Sequence, residues 1–184
     1  QLFWVDVVEA NPRVLCSGGA GTGKTFLAMV LARRWTSKGL NVALVCKSPW
    51  LKNFLQSQFS MPGLAVSTVE GLAVAKRRQG LESFDAIIID EGQDLLNIDN
   101  VDKIDQNLKN GLPNGQWCFF HDINNQSCLF GDVDKEALDY LKAQNPVLVP
   151  LKTNCRNTRI ILEKVQASLA ADMGIRGAGE GPNV

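Results

Sequence analysis

A glycine-rich stretch near the start of the chain has residue types suited to binding phosphate. It reads Gly18-Gly19-Ala20-Gly21-Thr22-Gly23-Lys24-Thr25 and fits the pattern G-x-x-x-x-G-K-[ST]. In such a loop the backbone N–H groups surround the phosphates, the lysine adds a point charge and the hydroxyl ligates Mg²⁺. We therefore predict that Lys24 is catalytic and that a magnesium–nucleoside triphosphate is bound by Gly19, Ala20, Gly21, Thr22, Gly23, Lys24, Thr25 and Phe26. The alternative is a glycine-rich turn that only joins a strand to a helix.

Two neighbouring carboxylates, Asp90 and Glu91, follow the most apolar run of the chain. A phosphate loop that works with Mg²⁺ needs an aspartate at the end of a neighbouring strand to hold the metal's coordination shell. We predict that Asp90 fills that role together with Thr25, and that Glu91 accepts a proton from an attacking water. The alternative is an ordinary solvated strand end.

The elements that must position these residues alternate along the chain. Short apolar runs predict strands at 13–17, 41–46, 65–67, 85–90, 116–120 and 147–151. Helical spacing predicts helices at 25–38, 49–59, 69–78, 101–110, 134–143 and 158–171. This alternation predicts an α/β fold with a parallel sheet and helices on both faces, in which ligands bind at the carboxyl ends of the strands.

Composition limits the classes of partner and compartment. Nineteen basic and nineteen acidic residues give a formal net charge of zero, so no basic excess points to nucleic acid. No apolar run approaches the roughly 18 residues needed to span a bilayer, and the start lacks a signal-peptide pattern. The five cysteines are scattered without a C-x-x-C pair, which favours reduced thiols in a cytoplasmic protein over disulfides or zinc.

The acidic pair belongs to a longer string, Asp90-Glu91-Gly92-Gln93-Asp94, which carries a family resemblance. It resembles the second motif, DEAQD, of superfamily 1 helicases of the UvrD/Rep/PcrA type. Gly92 replaces the usual Ala, and we expect this small-for-small change to be neutral. The resemblance implies a P-loop NTPase with a RecA-like sheet that uses ATP and Mg²⁺.

Two further stretches follow in the family's order. His121-Asp122-Ile123-Asn124-Asn125-Gln126 resembles the third motif, which implies that Gln126 senses the γ-phosphate. Leu151-Lys152-Thr153-Asn154-Cys155-Arg156 resembles the fourth motif, which implies that Arg156 is a catalytic arginine finger. Arg156 could instead be an ordinary surface arginine. His121 replaces a usual Gly and is expected to pack or hydrogen-bond rather than act as a base, and Cys155 replaces a Tyr that stacks on adenine in relatives.

The remaining matches concern nucleic acid and the adenine ring. Ser48 and Trp50 lie in the place of one DNA-contacting motif and Thr68 in that of another. The resemblance therefore implies single-stranded DNA as a partner, with Trp50 offering a face to a base. An aromatic residue near a helix start is more often part of the core, which is the alternative for Trp50. Gln1 stands at about the distance of the family's adenine-reading Gln.

The resemblance also implies a division of the chain. We expect residues 1–152 to form a RecA-like motor domain and residues 153–184 to begin a truncated second RecA-like domain, its partner in cis. Motifs five and six are not found. The expected function is an ATP-hydrolysing helicase or translocase domain, weakly active as a fragment of a longer protein. Alternatives are a P-loop kinase of a small metabolite and a non-hydrolysing ATP-dependent interaction module. The sequence does not fix the oligomeric state.

Overall fold

A computed structural model describes residues 2–18, 23–58, 60–90, 92–122 and 133–151 of the chain. Its strands are β1 (Arg13–Gly18), β2 (Val42–Val45), β3 (Leu64–Ser67), β4 (Ala86–Ile89), β5 (Gln116–Asp122) and β6 (Val147–Leu151). They form a six-stranded sheet in the order β3-β2-β4-β5-β1-β6, and every pairing is parallel. The predicted α/β fold with a parallel sheet is confirmed.

The helices cover both faces of this sheet. They are α1 (Leu2–Ala10), α2 (Lys24–Ser37), α3 (Pro49–Gln58), α4 (Leu72–Arg78), α5 (Gly92–Leu95), α6 (Ile98–Asn107), α7 (Gly111–Asn114) and α8 (Val133–Ala143). α1, α2 and α3 pack on one face, where Val14 and Cys16 of β1 join their core. The helices from α4 to α8 pack on the other, where Leu15 of the same strand belongs to the second core. A strand covered on both faces is apolar throughout, which is why the strands were predictable as continuous apolar runs.

Both boundaries of α6 differ from the predicted ones, each for a local reason. α6 begins three residues earlier than predicted because the Asn97 side chain accepts a hydrogen bond from the Asn100 N–H at 2.8 Å. It ends at Asn107 because Leu108 is extended and pairs with Phe84. α1, α5 and α7 were not predicted, since two of them have only four residues and α1 is apolar without a cap signal. The predicted helix 158–171 lies outside the described residues.

The parallel arrangement gives the sheet one carboxyl edge, at which Gly18, Val45, Ser67, Ile89 and Asp122 end their strands. Every described residue predicted to bind nucleotide or metal lies at this edge or just after it. Among the described helices, none has the length and apolar content required to cross a membrane.

Candidate nucleotide-binding site

The two ends of the glycine-rich loop are held together by its lysine. β1 ends at Gly18 and α2 begins at Lys24, directly after Gly23, whose φ of 81° lies in the left-handed region that favours glycine. Lys24 is buried, and its Nζ donates a hydrogen bond to the Gly18 carbonyl at 3.1 Å. The ammonium group therefore already lies at the base of the loop.

Thr25 and Asp90, the two predicted metal ligands, meet at the carboxyl edge. The Thr25 Oγ1 donates to the Asp90 Oδ2 at 2.7 Å, although the residues are 65 positions apart in the chain. Asp90 is fully buried, and its backbone N–H donates to the Val45 carbonyl at 2.9 Å. A hydroxyl and a carboxylate are the hard oxygen ligands that Mg²⁺ prefers, so the pair fits the ion. The tertiary structure thus brings residues of two separate sequence motifs into contact.

The end of β5 lies beside the loop. In the sheet His121 is opposite Ser17, and Asp122 is opposite Gly18, the residue that accepts the Lys24 hydrogen bond. Burial, together with the nearby cations Lys142 and Lys24, lowers the pKa of His121 to about 4 against the opposing charge of Asp122. The imidazole is therefore uncharged at neutral pH and is a weak base. This favours the packing or hydrogen-bonding interpretation of His121 over a catalytic base.

Phe26, predicted to bind the nucleotide, has its side chain in the hydrophobic core with Leu27 and Val14. It lies in the first turn of α2, where backbone N–H groups are not used within the helix. The prediction for Phe26 therefore concerns its N–H group and not its ring.

The backbone of Gly92 lies close to β5. A Cβ atom at this position would lie 3.1 Å from the Phe120 carbonyl oxygen and 3.3 Å from the Phe119 Cδ1. An alanine here requires its neighbours to shift, so our expectation that the exchange of Ala and Gly is neutral does not fit this packing. A side chain at Gly92 would therefore be crowded against the backbone of β5.

The candidate nucleic-acid residues Ser48 and Thr68 follow β2 and β3, which are neighbours in the sheet. The Ser48 Oγ accepts a hydrogen bond from the Leu51 N–H at 3.0 Å and caps α3. The Thr68 Oγ1 accepts from the Gly71 N–H at 3.3 Å in the turn before α4. Both hydroxyls therefore have a local structural role.

Trp50 is 73% exposed, so its alternative interpretation as a core residue is wrong. Its ring stacks on that of Phe54, with centroids 5.7 Å apart and an interplanar angle of 8°. Phe54 is itself 47% exposed. No role was predicted for Phe54, although its spacing of four residues from Trp50 on a helix would have placed the two rings together.

Several predicted site residues lie outside the described part of the chain. They are Gln1, Gly19, Ala20, Gly21, Thr22, Glu91, Gln126 and Arg156. Their roles stay predictions.

Comparisons with known proteins agree with this geometry. A family model for the AAA domain matches residues 5–108, more than half of the 184-residue chain. The matched range contains Lys24, Thr25 and Asp90. A search of curated proteins finds no match.

Solved structures show a similar fold. The large terminase from the thermophilic bacteriophage D6E is 16% identical with a TM-score of 0.52, over 86% of this chain and 45% of the terminase chain. A DNA replication initiation factor is 19% identical with a TM-score of 0.51, over 90% of this chain and 49% of that one. This chain thus spans less than half the length of either. The chain belongs to the AAA domain family and is an ATP-binding P-loop domain.

Proposed function

We propose that this chain is an ATP-hydrolysing motor domain of the superfamily 1 DNA helicase or translocase type. The observation that carries the proposal is the 2.7 Å hydrogen bond between the Thr25 hydroxyl and the buried Asp90 carboxylate, beside the loop lysine. A phosphate loop and a strand-end aspartate that meet in this way form one wall of a hydrolytic site. The string Asp90-Glu91-Gly92-Gln93-Asp94 supports the helicase type.

The chemistry divides among the residues as follows. Lys24, which now donates to the Gly18 carbonyl, would bind the β- and γ-phosphates instead, and Thr25 and Asp90, which now bond each other, would hold Mg²⁺. When bound, the ion neutralises charge on the phosphates. Water attacks the γ-phosphorus, its proton passes to Glu91, and the bond to the β–γ bridging oxygen breaks to leave ADP and phosphate. Gln126 positions the γ-phosphate, and Arg156 stabilises the transition-state charge.

The partner in the proposal is single-stranded DNA, with a second RecA-like domain acting in cis. Residues 1–152 form the motor domain and residues 153–184 begin the second domain. The exposed Trp50 and Phe54 rings support the DNA partner, because stacked aromatic faces at a surface suit unpaired bases. They project from α3, which follows β2 at the carboxyl edge.

The proposal is tested by phosphate release from Mg·ATP with and without single-stranded DNA. We expect a low basal rate, stimulation by DNA, and loss of both in Lys24→Ala. Lys135→Ala, on the exposed side of α8, is the matched control and should keep the wild-type rates. Equal rates with and without DNA would contradict a DNA motor. Transfer of phosphate to a small acceptor would instead support the kinase, and binding without turnover the non-hydrolysing module.

The same assay tests the DNA-contacting rings. Because stacking of a base on an aromatic ring contributes about 1–3 kcal/mol, Trp50→Ala should raise the DNA concentration needed for stimulation by about fivefold or more. Phe3→Ala removes another exposed ring, 68% exposed on α1, and should leave that concentration unchanged. If both variants respond like the wild type, Trp50 does not contact DNA.

A further inference from the structure

The C-terminal end of α4 carries three consecutive cations, Lys76, Arg77 and Arg78, the longest such run in the sequence. Arg77 and Arg78 are exposed, and Lys76 is half-buried. Within the described part of the chain, none of the three pairs with a carboxylate, whereas the cations near the end of α2 pair with carboxylates of α1. We call these three residues the basic end of α4.

The basic end of α4 is not needed to terminate its own helix. Cations near a helix C-terminus often bond the last carbonyls, but here the backbone does so. The Gly80 N–H donates to the Arg77 carbonyl at 3.0 Å, and the Leu81 N–H donates to the Lys76 carbonyl at 3.1 Å. This pair of bonds around Gly80, whose φ is 67°, is a Schellman ending, and the Leu81 side chain packs against the second core. The three cationic groups are therefore left for another purpose.

The basic end lies away from the nucleotide site. α4 joins the end of β3 to the start of β4, and these strands are parallel. A helix that joins parallel strands runs back from their carboxyl edge toward their amino edge. The nucleotide site with Lys24 and Asp90 lies at the carboxyl edge. α4 also packs on the second core through Leu72, whereas α3 packs on the other face through Leu55.

The chemistry of the basic end suits phosphate groups without bases. A guanidinium group presents a fork of donors that matches phosphate oxygens. Sites for unpaired bases combine cations with aromatic rings, as Trp50 and Phe54 would provide on α3. Residues 71–82, which contain α4 and the turn after it, include no aromatic residue. Cations without a stacking face fit the backbone of a duplex, whose bases stay stacked inside.

We propose that the basic end of α4 binds the phosphate backbone of duplex DNA, at a contact separate from the stacked rings of α3. The inference rests on the proposed DNA partner. It gives the two faces of the sheet different tasks: α3 contacts unpaired bases, and α4 holds a duplex by charge, without reading its sequence.

The test measures the affinity of this chain for a blunt DNA duplex at several salt concentrations. Each duplex phosphate that a protein neutralises adds about 0.9 to the steepness with which log affinity falls against log salt concentration. The double variant Arg77→Gln, Arg78→Gln removes two cations, so this slope should become shallower by about 1–2. The double variant Arg77→Lys, Arg78→Lys keeps both charges and should keep most of the slope.

A matched control separates a local contact from the effect of net charge. The double variant Lys109→Gln, Lys135→Gln also removes two exposed cations, one after α6 and one on α8. It should keep the wild-type slope. If it flattens the slope as much as the arginine variant does, the effect comes from net charge and the inference is overturned. A wild-type slope in the Arg77→Gln, Arg78→Gln variant would overturn it as well.

The same titration with a single-stranded thymine oligonucleotide distinguishes this inference from the proposed function. We expect the Arg77→Gln, Arg78→Gln variant to change the slope for the duplex and to keep the wild-type slope for the single strand. A change confined to the single strand would overturn the assignment to a duplex. A wild-type chain that binds the single strand but not the duplex would refute this contact alone. Binding to neither would refute the DNA partner, and this contact with it.

Discussion

Asp90 has no exposed surface, yet its carboxylate lies at the sheet edge beside the phosphate loop. A buried charge is tolerated when it is paired or hydrogen-bonded, and here the Thr25 hydroxyl donates to it at 2.7 Å. An ionised carboxylate can accept several hydrogen bonds or bind a cation. At the scale of the residue, a buried carboxylate beside the phosphate loop fits the predicted role of Asp90 as a metal ligand.

Removal of this charge should weaken the dependence of nucleotide affinity on magnesium. We expect Asp90→Asn to reduce the gain in ATP affinity on adding Mg²⁺ by about tenfold or more, as interactions with a charged group contribute about 1.5–3 kcal/mol. The measurement is titration of a fluorescent ATP analogue with Mg²⁺ and with chelator. Asp85→Asn, before the other end of the same strand, is the control, because an amide oxygen can still accept the Asn41 N–H. An unchanged magnesium effect in Asp90→Asn would contradict the assignment.

The change in stability caused by Gly92→Ala depends on which of two opposing effects is larger. Alanine is favoured over glycine in a helix by about 1 kcal/mol, whereas forced overpacking costs about 1–3 kcal/mol. Because the Cβ would lie 3.1 Å from a backbone oxygen, we expect overpacking to dominate and the melting temperature to fall by about 2–4 °C. Thermal unfolding of the two proteins tests this. A rise in melting temperature would show that the contact relaxes without cost.

At the scale of elements, charged pairs fix α1 to α2, the helix that begins with Lys24. The Arg34 guanidinium donates to Asp6 at 2.6 Å and to Glu9 at 2.9 Å, and Lys38 pairs with Glu9 as well. The hydrogen bonds from Lys38 and Arg34 lower the pKa of Glu9 against the effect of burial. Val5 and Val8 of α1 pack in the same core as α2. α1 is therefore attached to α2 by these ion pairs and by a shared apolar core.

This attachment predicts a pH-dependent contribution to stability. Because the folded-state pKa of Glu9 is below its ordinary value of 4.5, its contribution is fully present above that pH and is lost as the pH falls through the lower folded value. We expect Glu9→Gln to melt about 1–4 °C below the wild type at pH 7, since exposed pairs contribute about 0.2–1 kcal/mol each. The difference should narrow below pH 4.5. A difference between Glu9→Gln and the wild type that stays constant across this pH range would contradict the linkage.

At the scale of the whole molecule, the two cores protect the thiols of the described residues. Cys16, Cys46 and Cys118 are free and buried. Burial raises the pKa of Cys16 to about 12 and that of Cys46 to about 11, and it raises that of Cys118 well above its usual range. These thiols are therefore protonated at neutral pH and inaccessible, and they react only after the sheet opens.

Thiol labelling is thus a probe of global unfolding. At pH 8 we expect Cys16, Cys46 and Cys118 to stay unlabelled in the native protein and to label fully in guanidinium chloride. Mass spectrometry of the peptides identifies each site. Fast labelling of Cys118 under native conditions would contradict a sheet that is closed on both faces.

The strands and the phosphate loop were predictable from the sequence because their signals are local. A parallel strand buried on both faces reads as a continuous apolar run, and a loop that must surround phosphate needs glycines at fixed spacing. The strand before Gly18 and the strand before Asp90 therefore lie where the sequence placed them, within a residue or two. The predicted metal-binding roles of Thr25 and Asp90 come from the same motifs.

Contacts between distant parts of the chain were decided only by the tertiary structure. The hydrogen bond between Thr25 and Asp90 joins residues 65 positions apart in the chain. A local sequence pattern does not predict that two such residues lie within hydrogen-bonding distance of each other. Whether Trp50 lies in the core or in solvent, and whether a methyl group fits at Gly92, depends on what the neighbouring elements leave open. The sequence determines which residue types stand at the strand ends. The packing of α5 against β5 and of α1 against α2 decides which of them touch, because exposure and contact depend on partners far away in the chain.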